Sequence, residues 1–351
     1  MISIIWQKVW PFLFAILFFA LIIIIHELGH FTFAKIFKVK VNEFSIGMGP
    51  KLFSKIKGDT KYSLRLLPIG GYVQMEGEDE ESDDENSFEK KDVWKRIIIV
   101  AAGAVMNLIL GFILVSCMLG SQELIGTTEI YGFFDSSVSS QYLQAGDKIE
   151  SINGMHCYSS YDVQVGLMRD DDGIVDFTVK RDGEYVKLDN VAFKTQKSDD
   201  AYGKNDLIIV FDFQLIGKEP GFFNSIKYGA LQSVSLARLV FISIYDLCAG
   251  QFGFSELSGP IGTVKIVADT ASNYNISDVL FVMAFISINI GVFNLLPFPV
   301  LDGGKLFILI IEGAFKKKLK KKTEMIINTV SFIILFAFIA VVSVSDIINL
   351  F

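Results

Sequence analysis

The sequence predicts a polytopic α-helical membrane protein of about four transmembrane helices, with an extracytoplasmic α+β domain between the second and third and a membrane-associated β-hairpin after the first. Three observations carry this. The 351 residues are 51% hydrophobic with a mean hydropathy of +0.46, too apolar for a soluble globular chain. Four apolar stretches, at about 5–26, 97–119, 278–297 and 325–345, meet the roughly 20-residue length needed to cross hydrocarbon. The segments joining them alternate in charge, and that alternation fixes their sides.

In chain order, residues 1–37 hold the first span. Lys8 is the only basic residue of its flank and no small-residue cleavage site follows, so the segment reads as a retained span and not a signal peptide. Residues 38–96 form a cytoplasmic loop: eight Lys/Arg lie between Lys35 and Arg65 against Glu43 and Asp59. Within it, 60–75 shows two short alternating runs around a Pro/Gly turn, which fits a hairpin, and the acidic stretch 76–92 reads as a solvated, mobile loop. The second span is 97–119. Residues 120–220 form the outer domain, in which strands, turns and the helical stretch Tyr161–Arg169 alternate over 127–195.

Residues 221–277 are an amphipathic helical segment. Its apolar part, 228–248, carries Gln232, Arg238 and Asp246, and crossing the bilayer would put Lys316–Lys322 outside, so a helix lying on the surface is expected. The third span occupies 278–305, a basic cytoplasmic loop 306–324, and the fourth span with the C-terminus 325–351. A net charge of −7 excludes nucleic acid as a partner and leaves the lipid bilayer. Cys117, Cys157 and Cys248 lie far apart, which predicts ordinary thiols.

The chemistry concentrates at His26-Glu27-Leu28-Gly29-His30, where the apolar run Phe12–Ile25 ends. Histidines four apart project from one helix face and can share a metal ion, with the intervening glutamate as general base, the arrangement of a metalloprotease. Ionisable groups in a span are costly and by default functional. A catalytic zinc site takes a third protein ligand, and at membrane depth Asp246, Asp302 and Glu312 are the carboxylates available. Asp302 is favoured. It follows Asn294-Leu-Leu-Pro297-Phe-Pro299-Val-Leu, irregular backbone of the kind that lines a cavity, and lies near Lys305, as His30 lies roughly 7 Å of helix before Lys35.

His26-Glu27-x-x-His30 on the first span together with Asn294-x-x-Pro297-x-Pro299-x-Leu301-Asp302-Gly303 on the third resembles the site-2 protease family of intramembrane zinc metalloproteases, within it the bacterial regulator-of-sigma-E-protease branch with a single PDZ domain. Gly103-x-x-x-Asn107, Leu67-Pro-Ile-Gly70-Gly71-Tyr72-Val73 and Ser258-Gly259-Pro260-Ile261-Gly262 are similar to further family segments. Ala145-Gly146-Asp147-Lys148-Ile149 with Ile152-Asn153-Gly154 resembles a PDZ domain.

The resemblance implies Zn2+ held by His26, His30 and Asp302, water activation by Glu27, and substrate contact by Asn107, Asn294 and the loop of Gly70 and Gly71. It implies an intramembrane endopeptidase in the bacterial cytoplasmic membrane, its active site near the cytoplasmic side and its PDZ-like domain outside. Its substrates would be single-span proteins, such as anti-sigma factors or remnant signal peptides, already shortened by an upstream site-1 protease. The alternative is a non-catalytic, PDZ-containing membrane adaptor, which has no use for Glu27.

Overall fold

The computed structural model describes residues 2–78, 80–198, 207–250, 258–273, 275–316 and 321–348. Two units emerge, Met1–Gly111 with Leu257–Phe351, and Phe112–Glu256.

The first unit is built on α1 (Ile2–Ile36), which continues without a break from the apolar run through His26 and His30. A buried cluster of Ala15, Phe18 and Ile22 from α1, Val267 from α5 (Pro260–Ser272) and Ile286 from α6 (Ile276–Phe293) fixes one end of it. A second cluster fixes the other end. It joins Ala34 to Val39, Val41, Ile99 and Val100 of α2 (Val93–Gly120), and Leu306 and Leu309 of α7 (Asp302–Phe315). Helix α8 (Lys321–Ile348) completes the unit, with buried Asp346 accepting the backbone N–H groups of Gly259 (3.0 Å) and Gly262 (2.9 Å) at the start of α5. A carboxylate there offsets the orphan donors and dipole of that helix end.

The hairpin is larger than the expected 60–75. Strands β1 (Val41–Lys57) and β2 (Thr60–Met75) turn at Gly58, and both bend midway, β1 at Gly47–Gly49 and β2 near Gly70, each glycine with φ between +83° and +88°. The first part of β1 pairs twice: Phe44 lies opposite both Val73 and Tyr62, Ser45 opposite both Tyr72 and Ser63, while Phe53–Lys57 pairs with Thr60–Leu64. The result is a four-segment sheet in the order 71–75, 41–46, 60–64, 53–57. The two runs around the Pro/Gly bend therefore do not pair with each other; both pair with β1.

Residues 306–315, expected within a basic loop, continue α7, because Leu306 and Leu309 have an apolar cluster to join; of the basic run, 317–320 lie outside the described residues. The acidic stretch is tied to the fold at several points; Asp79 lies outside the described residues. Phe88 and Ser87 are buried, Ser82 donates to Glu76, Lys40 pairs with Asp84, and Lys305 with Glu78 at 2.7 Å.

The second unit holds a sheet in the order β10 (Phe213–Lys218), β3 (Ile125–Phe133), β4 (Lys148–Ile152), β6 (Ile174–Arg181), β7 (Glu184–Ala192), with β5 (Met155–His156) on β4. A small pair, β8 (Thr195–Lys197) and β9 (Leu207–Ile209), stands apart. Ile130, Ile149, Ile152, Phe177 and Val179 form its core with Val163 and Leu167 of α3 (Ser160–Met168). Helix α4 (Phe222–Ala249) lines its polar residues along α3: Ser235 donates to Asp162 (2.6 Å), Arg238 pairs with Asp162 (2.5 Å), and Asp246 with Arg169. The stretch 221–277 thus contains two helices, α4 and α5, in different units. Cys157 is buried in the sheet domain, which pushes its thiol up to about 12. Five helices in all, α1, α2, α4, α6 and α8, are long and apolar enough to cross a membrane among the described residues.

Candidate active site

Positions 26 and 30 lie one turn apart on α1, so their imidazoles meet: the ring centroids are 4.8 Å apart and the two Nε2 atoms 3.1 Å. Asp302, first residue of α7, brings its Oδ2 to 3.0 Å from His26 Nε2 and 3.2 Å from His30 Nε2. The position of Asp302 follows from the chain before it. Pro297 and Pro299 cannot continue α6, and Val300 takes a φ of 82°. Helix α7 then starts in close contact with that loop, since a Cβ on Gly303 would stand 1.9 Å from the Leu296 carbonyl oxygen and one on Gly304 2.5 Å from that of Phe298. Only glycine permits this approach.

The three atoms suit a metal ion. Ligands held at about 2.0–2.1 Å in a tetrahedral zinc site stand roughly 3.3 Å from one another, close to the separations here. Asp302 Oδ2 is buried without a well-formed hydrogen bond, although two ring nitrogens face it. A shared cation resolves that juxtaposition. Among the described residues this is the group of His, Cys, Asp and Glu with metal-binding geometry. The other two carboxylates considered for the third position have partners of their own: Glu312 takes both guanidinium nitrogens of Arg96, at 2.6 and 3.1 Å, and Asp246 takes Arg169.

Helix α2 backs the pair of histidines with one face. The Ile99 carbonyl accepts from His30 Nδ1 at 2.9 Å, a Cβ on Gly103 would lie 2.3 Å from His30 Nε2, and the Asn107 amide stands 3.3 Å from His26 Nδ1. Gly29 of α1 meets this face in turn, with its would-be Cβ 2.4 Å from the Ala102 carbonyl oxygen. Asn107 is fully buried and lies behind His26. The role of Ile99 carries no sequence signal, because a backbone carbonyl is offered by every residue type.

Glu27 has His30, His26, Asp302 and Glu78 as its ionisable neighbours. On its other side it meets the hairpin: a Cβ on Gly71 would lie 3.3 Å from Glu27 Cγ and 3.0 Å from the Ser45 carbonyl oxygen. Strand segment 71–75 pairs on one side with 41–46, which leaves its other edge without a strand partner among the described residues. Gly70, at φ +88°, makes the bend that precedes it. Asn294 caps the C-terminal end of α6, half-buried, with its N–H bonded to the Ile290 carbonyl. The hairpin itself is tied by Glu43, which accepts from Arg65 (3.0 Å) and Lys61 (3.4 Å). Burial alone would push that carboxyl up, but the hydrogen bonds and cations around it hold it at about 2.

Peptidase family M50 matches residues 14–338. The chain is 33% identical to CPE1693 of Clostridium perfringens, named as a candidate zinc metalloprotease, over 96% of this chain and 98% of that one. A counterpart of the same description from Clostridium acetobutylicum is 36% identical over 95% and 96% of the two chains. The regulator of sigma-W protease RasP of Bacillus subtilis is 27% identical over 96% and 98%. Agreement over almost the whole length of each relative places this multi-pass membrane protein in peptidase family M50, the site-2 protease family, as a zinc metalloprotease.

Proposed function

We propose that the protein is an intramembrane endopeptidase that cuts transmembrane segments of single-span membrane proteins, anti-sigma factors or remnant signal peptides, after an upstream site-1 protease has trimmed them. The observation that carries this reading is the convergence of His26, His30 and Asp302 from two helices of an apolar unit, with the strand edge at Gly71 against Glu27. The name of the Bacillus subtilis relative, a regulator of sigma-W protease, supports the substrate class.

His26, His30 and Asp302 would hold zinc, which when bound supplies Lewis-acid chemistry: it lowers the pKa of water toward about 7 and polarises a carbonyl. Glu27 takes the proton from the attacking water and returns it to the leaving amide nitrogen. A helical peptide bond is already hydrogen-bonded and shielded, so the substrate must be drawn out. Segment 71–75 offers backbone N–H and C=O groups for strand addition, with Gly71 leaving room beside Glu27, and Asn294 is read as a polar contact for the extended chain.

The basic character of 35–65 puts this end of α1 on the cytoplasmic side of a bacterial membrane. The sheet domain, with α3 packed on it, is read as PDZ-like and extracytoplasmic. Helix α4 is read as lying on the membrane surface, because Ser235 and Arg238 spend their polar groups on Asp162 of α3 and Asp246 on Arg169 just beyond it. The domain then stands as a filter that admits trimmed substrates.

The test is comparative proteomics of membrane-anchored fragments in cells carrying the wild type or Glu27→Gln, followed by cleavage of the accumulating proteins in reconstituted membranes. Single-span fragments should accumulate in the variant and be cut within their spans by the wild type. Cleavage confined to soluble segments overturns the reading.

A further inference from the structure

The hydrogen bonds around the two histidines leave one feature unexplained: a fully buried asparagine amide beside His26, with one of its two polar ends idle. Asn107 points Nδ2 at His26 Nδ1 (3.3 Å), while its Oδ1 is buried with no hydrogen-bond partner among the described residues. The helix around it is held, since Ser287 of α6 donates to the Asn107 carbonyl at 2.9 Å.

Two proton patterns fit this geometry. Nδ1 of His30 faces the Ile99 carbonyl, an acceptor only, so Nδ1 carries the proton and Nε2 keeps its lone pair for the point shared with His26 and Asp302. His26 has no such fixed acceptor. With the amide nitrogen facing it, Nδ1 must accept, and the single proton of the neutral ring sits on Nε2. With the amide turned by 180°, Oδ1 accepts from Nδ1–H and the lone pair moves to Nε2. The ring remains neutral in both, and one proton changes nitrogen. Only the second pattern gives His26 a ligating Nε2; it satisfies the oxygen and turns the amide N–H groups to the side that the oxygen held.

We propose that Asn107 is a positioning residue for the metal centre: its amide turns to present Oδ1 to His26 Nδ1 and so fixes the tautomer in which Nε2 binds the cation. Ile99 does this for His30 with a carbonyl that cannot turn. Gly103, between them on the same face of α2, lets the helix come close enough for both contacts. An asparagine here serves either tautomer; a carboxylate serves only the ligating one, and an apolar isostere serves neither. The proposal rests on the zinc reading of His26, His30 and Asp302. Outer-shell partners of ligating histidines typically matter by 10–100-fold in metal affinity.

The experiment uses the full-length protein in detergent or nanodiscs, comparing wild type, Asn107→Leu and Asn107→Asp. Zinc affinity is read by competition with a chelator of known strength, and thermal melting of each chelator-stripped protein checks the fold. Asn107→Leu should weaken zinc binding by about 10–100-fold, and Asn107→Asp should restore it to within a few-fold of wild type. Because the chain has three histidines, ring-nitrogen spectra of 15N-histidine-labelled, zinc-loaded wild type can be assigned, and His26 should carry its proton on Nδ1.

Equal zinc affinity in Asn107→Leu and wild type overturns the proposal, as does a His26 proton on Nε2 in the loaded protein. Equal losses in Asn107→Leu and Asn107→Asp overturn it too, since the carboxylate retains the acceptor. If wild type itself fails to bind one equivalent of zinc, or if His26→Ala retains it, the metalloprotease reading is struck instead.

Discussion

Each unit buries carboxylates that donors within the fold answer, and Asp302 stands apart from them. In the second unit Asp147 is held by Nε and Nη2 of Arg181, each at 2.7 Å, Asp162 by Arg238 and Ser235, and Asp212 by the N–H groups of Val138 and Ser139. Each is answered by donors within the fold. In the first unit Asp302 faces two imidazole nitrogens that offer it no well-formed bond, and Glu27 shares the same turn of α1. A carboxylate that is fully answered holds structure together; one whose oxygen is shared between two imidazole nitrogens is placed to take a cation with them. The contrast separates site from scaffold without reference to sequence motifs, and substitutions in each unit can break it.

The largest effect belongs to Glu27. Glu27→Gln keeps the shape of the side chain but removes the proton acceptor, so cleavage of a single-span substrate should fall by at least about 10²–10⁴-fold while zinc content stays at the wild-type level. Cleavage assays and metal analysis on the same preparation decide it. Retained activity would remove Glu27 from the mechanism.

Next comes Asp302→Ala. Two histidines cannot hold zinc tightly, so the metal should be lost on dialysis, and activity with it. The chelator-stripped variant should melt near the stripped wild type, because in the fold alone Asp302 stabilises little. The matching change in the second unit reverses both readings. Asp147→Ala leaves the Arg181 guanidinium without its carboxylate and should cost about 3 kcal/mol of stability with zinc unchanged. If Asp302→Ala proves as destabilising as Asp147→Ala, the distinction between the two kinds of carboxylate fails.

The catalytic half of this contrast is legible in the sequence, since His26 and His30 sit four apart on a helix and Asp302 sits beside prolines and glycines that break another. Fold elements set by long-range partners are not. Strand β1 mixes Gly47, Gly49 and Pro50 into its apolar run and shows no clean alternation, because its register is written by β2 on both sides. Helix α7 carries two glycines in its first turn and runs toward a lysine cluster, so its sequence reads as loop until Leu306 and Leu309 find a cluster to join. The contact of Asn107 with His26 needed the α1–α2 approach through Gly29 and Gly103, where each glycine alone looks like a weak point in a helix.

The smallest effect is the sharpest test, because Glu43 lies in the catalytic unit yet belongs to the scaffold kind. It sits on the hairpin next to Ser45, whose carbonyl touches Gly71, but Arg65 and Lys61 answer its carboxylate in full. If partners and not proximity define a site, Glu43→Gln should leave zinc affinity unchanged and cost only about 1–2 kcal/mol of stability, the loss of charge-assisted hydrogen bonds in a partly solvated cluster. The sign of its pH dependence follows from its lowered pKa. A carboxyl held at about 2 when folded and near 4.5 when unfolded contributes stability that is fully present above about pH 4.5 and is lost as the pH falls toward 2. Melting temperatures of the stripped protein between pH 6 and pH 3 should therefore drop more steeply for wild type than for Glu43→Gln, and the two curves should converge at the acid end. Parallel curves would mean that Glu43 is not held by its cations, and a loss of zinc in Glu43→Gln would mean that nearness to the histidines, and not the lack of partners, is what marks a site.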